Sequence, residues 1–337
     1  MPLRRRSLAA ACLVALLLAA AVVASQEALD RTREPITRPP EAAATPRTEA
    51  GARSRPEAPE RGVASAAVGP PPRRVRLATR DVLRLRTGPT PKGALAFDLG
   101  SGRVLWRRRA ERPRPIASLT KVMTALVAVD AVGPRERVRI PRVARRTRGS
   151  SMGGLAAGRR VRAETLLHGL LIQSGNDAAV ALAVHAAGSE RRFVRRMNRR
   201  ARALGLRCTR FENVHGLDRR PPGTPSRGAA NRSCPADLAE LTVRAMGEPR
   251  IARIVRRRSA RVWLPRRGAW WLRTTHPLLR AGHPGVIGLK TGWTPAAGRC
   301  LITVARVGGR NVGVVLLGAR DPAGTTRRVL RAAGRRS

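Results

Sequence analysis

The chain has 337 residues, enough for one large domain or two small ones, and so few aromatic residues that any core must be mostly Ala, Val and Leu. Its formal charge is +47, yet only three of the 68 basic residues are lysine: Lys92, Lys121 and Lys290. Arginines scattered without interleaved aromatics exclude a specific nucleic-acid stripe and fit a compositional bias better than selection for a polyanion.

Residues 1–25 read as a signal peptide or an N-terminal membrane anchor. Arg4, Arg5 and Arg6 precede an apolar run from Leu8 to Val23, and Ala24 and Ser25 offer small residues for cleavage. The chain is therefore expected outside the cytoplasm, in the cell envelope or secreted, where disulfides persist. Three cysteines follow this segment: Cys208, Cys234 and Cys300. Cys208 and Cys234 flank one irregular stretch and could form a bridge, but spacing leaves the pairing open. Residues 26–85, rich in Pro, Arg and Ala and without an apolar period, read as a disordered linker, and 86–337 as the folded domain.

Ala94-Leu95-Ala96-Phe97 and Val104-Leu105-Trp106 flank a Gly-containing turn, which predicts a β-hairpin. Leu301-Ile302-Thr303-Val304 and Val312-Gly313-Val314-Val315-Leu316 flank Gly308-Gly309 and predict a second. Between them, apolar spacing predicts a helix from Ser118 and others over about 163–173, 176–188, 190–204 and 235–246. Strands at both ends with helices between predict an α/β fold: one antiparallel sheet formed by the N- and C-terminal strands and covered by helices.

Three short segments carry chemistry. Ser118-Leu119-Thr120-Lys121 puts a hydroxyl and an amine on one helix face, beside unpaired N–H groups of the helix start. A neutral lysine there can take the Ser118 proton and activate the oxygen for attack on a carbonyl. Arginine cannot replace it, because a guanidinium stays protonated. Retention of lysine in a chain that writes arginine almost everywhere supports Lys121 and Lys290 as functional.

Ser174-Gly175-Asn176 lies on a connection between two predicted helices. Ser174 is placed to relay a proton to the leaving group, and Asn176 to hold a substrate carbonyl. In Lys290-Thr291-Gly292, strand geometry puts Lys290 and Gly292 on one face and Thr291 on the other. Lys290 is expected to supply a fixed positive charge, Thr291 a hydroxyl for an anionic terminus, and Gly292 room for a ligand. The N–H groups of Ser118 and Trp293 are the expected oxyanion hole.

Gly149-Ser150-Ser151-Met152-Gly153 mimics a nucleophile elbow but lacks the apolar strand that must precede one. The five histidines show no His-Glu-x-x-His spacing, which excludes a zinc peptidase of that type, and no metal or organic cofactor is expected.

The three segments occur in this order, 56 and 116 residues apart. With their flanks Pro115-Ile116-Ala117, Leu170-Leu171-Ile172-Gln173 and Gly288-Leu289, the trio resembles the D-alanyl-D-alanine carboxypeptidases, the low-molecular-mass penicillin-binding proteins. The resemblance covers about 94–318 and implies a β-lactamase/transpeptidase-like fold with an all-helical subregion. It also implies a serine peptidase that acts on peptidoglycan stem peptides ending in D-Ala-D-Ala and is acylated by β-lactam antibiotics. Catalytic roles then fall to Ser118, Lys121 and Ser174, and substrate binding to Asn176, Lys290, Thr291, Gly292 and Trp293.

The family's carboxylate-binding arginine has no clean counterpart; Arg320 and Arg327 are the candidates. The chain ends soon after its last predicted strand, so membrane attachment is expected only through the N-terminus. Two alternatives compete: a class A-like β-lactamase and a non-catalytic basic cell-wall-binding protein. The first is disfavoured because Gly216, not Asn, stands four residues beyond Glu212.

Overall fold

A continuous apolar run from Gly93, buried on both faces, forms β1 (Gly93–Asp98), which turns back into β2 (Val104–Arg108). The Asp98 Oδ1 caps that turn by accepting from the Ser101 N–H at 2.8 Å. The computed structural model describes residues 75, 81–83, 85, 91–218 and 231–335. All belong to one unit, Ala67–Ser337. The predicted signal or anchor lies outside the described residues, as does most of the predicted linker. Its described end packs on the domain: Leu83 is buried, and its N–H donates to the Leu105 carbonyl at 2.8 Å.

After β3 (Arg114–Pro115), a 3-10 turn (Ala117–Thr120) leads into α1 (Lys121–Ala131). A small outer ribbon follows, β4 (Arg137–Arg139), α2 (Arg142–Arg146) and β5 (Arg160–Arg162). Three helices come next: α3 (Ala163–Leu171), α4 (Asn176–Ala187) and α5 (Glu190–Ala203). α1 and α4 are apolar nearly all round and buried, as a core helix must be. α5 shows the opposite pattern: Phe193, Met197 and Ala201 recur every four residues on the buried face, and most of the other positions are arginine. Ser189 caps α5 by accepting from the Arg192 N–H.

The chain continues through β6 (Arg232–Ser233), α6 (Pro235–Gly247), α7 (Pro249–Val255) and a hairpin, β7 (Ser259–Leu264) with β8 (Gly268–Arg273). A short α8 (Pro277–Arg280) precedes β9 (Val286–Thr294), β10 (Gly298–Val307), β11 (Arg310–Leu317) and α9 (Pro322–Gly334).

The main sheet has the order β2-β1-β11-β10-β9 and is antiparallel throughout, so the two ends of the chain meet at β1 and β11. This is the predicted architecture. Because side chains alternate across a strand, β1 feeds two cores. Leu95 and Phe97 join the core shared with α1, α3 and α4, while Ala94 and Ala96 join a second core under α9. Sequence reading left out α9, α7 and the β7–β8 hairpin. α9 buries Val329, Leu330 and Ala333 on the outer face of the sheet, so the residues beyond the last strand are a structural layer. Among the described residues, no helix is long and apolar enough to cross a membrane.

Candidate active site

The 3-10 turn presents Ser118, and Lys121 starts the α-helix that follows it. One turn of spacing brings the Lys121 Nζ to 2.9 Å from the Ser118 Oγ. The same Nζ donates to the Asn176 Oδ1 at 2.7 Å and to the His215 carbonyl at 2.8 Å. Lys121 is fully buried, and burial holds its pKa well below the ordinary lysine value, with the Lys290 ammonium lowering it further and Asp177 opposing.

Ser174 and Asn176 sit where α3 gives way to α4, and Ser174 takes a left-handed backbone, φ +63°. Such a conformation in a non-glycine residue needs support. It comes from the segment that mimicked a nucleophile elbow. The Ser150 hydroxyl donates to the Ser174 carbonyl at 2.6 Å, and the Asn176 N–H donates to the Ser150 carbonyl at 2.7 Å. Asp177 accepts from the Ser151 hydroxyl and from the Met152 N–H. Residues 148–152 are thus a wall of the cleft. Ser150 lines it without taking a nucleophile's place, since no base is bonded to its oxygen.

On β9, Lys290 points into the inner core and its Nζ donates to the Ser174 Oγ at 2.9 Å. Burial lowers its pKa to about 7. Near neutral pH its charge is therefore variable, where sequence reading expected a fixed one. Thr291 faces the other way, and its hydroxyl pairs with that of Thr275 at 2.7 Å.

Gly292 has a reason beyond the one expected. A Cβ there would sit 3.0 Å from the Ser118 nitrogen and 3.1 Å from the Ile116 carbonyl oxygen. The missing side chain lets β9 close on the nucleophile turn, while the Gly292 backbone lines the cleft. Trp293 stands on the rim, 65% exposed. Asn176 has a role beyond the one expected: its Oδ1 accepts from Lys121 and its Nδ2 donates to the Arg148 carbonyl at 2.7 Å. Asn176 thus holds Lys121, and it lines the cleft with a second Nδ2 hydrogen to offer a substrate carbonyl.

One cleft of 520 Å3 is lined among others by Ser118, Ser174, Asn176, Thr291, Trp293 and Arg299, while Lys121 and Lys290 are buried beneath its two serines. Arg320 and Arg327, the carboxylate candidates, are exposed and do not line it. Arg299 does line it, from the β10 position opposite Trp293, and its guanidinium donates to the Arg320 carbonyl at 3.2 Å.

Sequence reading also missed the loop 212–218. The Asn213 Oδ1 accepts from the His215 and Gly216 N–H groups, and the Asn231 amide bonds both Asn213 and the Thr120 hydroxyl. This pins the His215 carbonyl between Lys121 and Ser118. Gly216, with φ +92°, lies against the Ala117 carbonyl, where any Cβ would overlap it. An Asn-x-x-Gly turn was the available signal, but a backbone acceptor leaves no mark in sequence.

Cys208 and Cys234 are joined, closing the loop that carries Asn213, His215 and Asn231, and Cys300 is free and buried. Among the described residues, the grouping of His, Cys, Asp or Glu side chains compact enough for a metal is Cys208, Cys234 and Asp237. Its two sulfurs form the disulfide, and Asp237 accepts from the Cys208 N–H and the Thr209 hydroxyl, so the donor set does not fit a cation.

The family model described as D-alanyl-D-alanine carboxypeptidase matches residues 89–321. The chain is 31% identical over 235 residues to the D-alanyl-D-alanine carboxypeptidase DacF of Bacillus subtilis, a match covering 68% of this chain and 58% of that protein. It superposes on the crystal structure of a Mycobacterium tuberculosis D-alanyl-D-alanine carboxypeptidase with a TM-score of 0.67 and 30% identity, over 74% of this chain and 93% of that one. Penicillin-binding protein 6B of Escherichia coli gives a TM-score of 0.62 and 32% identity, over 76% and 81% of the two chains. The matched part thus spans 58% of the length of the first curated relatives.

Proposed function

The chain belongs to the D-alanyl-D-alanine carboxypeptidase family, and from that premise we propose that it removes the terminal D-alanine of peptidoglycan stem peptides through an acyl-enzyme on Ser118. One observation carries the reading. Two buried lysines each place Nζ 2.9 Å from a serine hydroxyl, and both serines line the same cleft.

A neutral Lys121 amine has two N–H groups and one lone pair. The Asn176 Oδ1 and the His215 carbonyl accept the two N–H groups, which leaves the lone pair for the Ser118 hydroxyl. Lys121 then takes the Ser118 proton as the oxygen attacks the carbonyl carbon of the penultimate D-alanine. Negative charge develops on the carbonyl oxygen between the Ser118 and Trp293 N–H groups. The close packing of Gly292 against the Ser118 nitrogen supports that pairing.

As the tetrahedral intermediate collapses, the C–N bond breaks and the leaving amine takes a proton from the Ser174 hydroxyl. Lys290 replaces that proton, a transfer suited to an ammonium whose pKa is about 7. The Thr291 hydroxyl, which lines the cleft, receives the substrate's carboxylate. Water then attacks the ester, its proton restores Lys290 through Ser174, and Lys121 returns its proton to the Ser118 oxygen as the acyl group leaves. Penicillin acylates the same oxygen and is released slowly. The disulfide suits an oxidising compartment, so the site of action is the cell envelope outside the cytoplasm.

The test is labelling with a fluorescent penicillin alongside product analysis on a defined stem pentapeptide. Stoichiometric labelling lost in Ser118→Ala, with release of D-alanine by the wild type, supports the proposal. Rapid turnover of a chromogenic cephalosporin would make the enzyme a β-lactamase, and absence of any labelling would leave a binding protein.

A further inference from the structure

The excess of arginine looks uniform along the sequence, but the fold gathers part of it. Residues 135–162 contain ten arginines and one acidic residue, Glu136. Glu136 is already held by the His185 Nε2 at 2.6 Å. On the β4–β5 ribbon, Arg137 stands directly opposite Arg162, and Arg139 opposite Arg160. All four are exposed, while Val138 and Val161 fill the buried face. Like charges directly opposed across a ribbon destabilise it. Among the described residues, no carboxylate forms an ion pair with any of the four.

Beside the ribbon is a groove of 590 Å3 lined by Arg139, Arg142 and His185, with Ile140 and Val184 at its floor. A second hollow of 260 Å3 adjoins it through Arg142 and adds Arg145 and Arg146. The groove reaches the C-terminal end of α4, whose N-terminal end supplies Asn176 to the catalytic cleft. His185 lies nine positions after Asn176 on this helix, about 14 Å of axial rise. An occupant of the groove therefore leaves the cleft open.

We infer that the β4–β5 ribbon and the adjoining α2 groove form a binding site for a linear polyanion with phosphodiester charges and no aromatic bases. Guanidinium forks match phosphate oxygens in pairs and hold their charge at every accessible pH. Successive pairs along the ribbon are about 7 Å apart, a spacing that a flexible phosphodiester chain can follow. The segment has no aromatic residue on which bases could stack. The exposed tryptophans that would seat a membrane interface, Trp263, Trp271 and Trp293, belong to other elements. Such a site would hold the enzyme along a charged wall polymer while the cleft samples peptides.

The test uses the full chain and fluorescently labelled synthetic poly(glycerol phosphate), followed by anisotropy at low and moderate salt. A ribbon variant carries Arg137→Gln, Arg139→Gln, Arg160→Gln and Arg162→Gln. A control variant removes the same charge from the exposed face of α5, through Arg191→Gln, Arg195→Gln, Arg199→Gln and Arg202→Gln. The ribbon variant should bind at least about tenfold more weakly and lose much of the salt dependence, with the control near wild type. Equal weakening in both would assign binding to net charge and overturn the proposal. Tighter binding of phosphatidylglycerol vesicles, or of an oligodeoxynucleotide of equal charge, would overturn it too. The ribbon variant should also melt no lower than wild type, because four mutually repelling charges are gone. If it melts lower, Arg139→Gln with Arg142→Gln at the groove replaces it, with the same binding criteria.

Discussion

Lys121 is held by three oxygens, of which only the Asn176 Oδ1 and the Ser118 Oγ come from motif residues. The chemistry requires that this amine lose its proton, which a guanidinium cannot do at working pH. Lys121→Arg should therefore reduce the rate of penicillin acylation by at least about a thousandfold, although the charge is retained. Stopped-flow labelling measures it. Gly216 is a residue of the second kind, needed for its shape. Gly216→Ala should force the loop off the Ala117 carbonyl and displace the His215 acceptor. It should cost about 1–3 kcal/mol of stability by denaturant titration and slow acylation more than it raises the penicillin concentration at half-saturation.

At the scale of elements, the site is assembled from the nucleophile turn with α1, the α3–α4 connection, β9 and the loop between Cys208 and Cys234. The first three carry motifs. The fourth contributes a carbonyl and two asparagines, and the disulfide closes it across a sequence separation of 26. Closing a loop of that length removes roughly 3.5 kcal/mol of unfolded-state entropy. Cys208→Ser with Cys234→Ser should lower stability by about that amount, seen as a lower thermal midpoint. It should also slow acylation, because Asn231, three residues before Cys234, ties the loop to Thr120. Unchanged acylation in the folded double variant would separate the loop from the catalytic groups.

For the molecule as a whole, two buried lysines make stability depend on pH. The folded Lys290 has a pKa of about 7, whereas an exposed lysine titrates near 10.5. Between those values the unfolded chain binds more protons than the folded one, so stability rises with pH across that window. Lys121 acts in the same direction. Chemical denaturation at a series of pH values should show the rise, and Lys290→Met should flatten it. Below about pH 7 Lys290 is protonated in both states, and its slope vanishes.

Much of this protein was legible in one dimension. Short continuous apolar runs in 94–97 and 312–316, each beside Gly-containing turns, specified strands, and helical periods specified the buried α1 and α4. The lysines surviving among arginines marked positions where deprotonation matters. Such features are local: a period, a spacing, or a residue type that chemistry cannot replace. The tertiary structure alone decided that Gly292 makes room for the nucleophile turn, that Asn176 holds Lys121, and that Lys290 titrates near neutrality. Each depends on which distant atoms fill a residue's surroundings, and burial is a property of the packed chain. The charge divides in the same way: the sequence determined how much arginine the chain carries, and only strand register set Arg137 against Arg162.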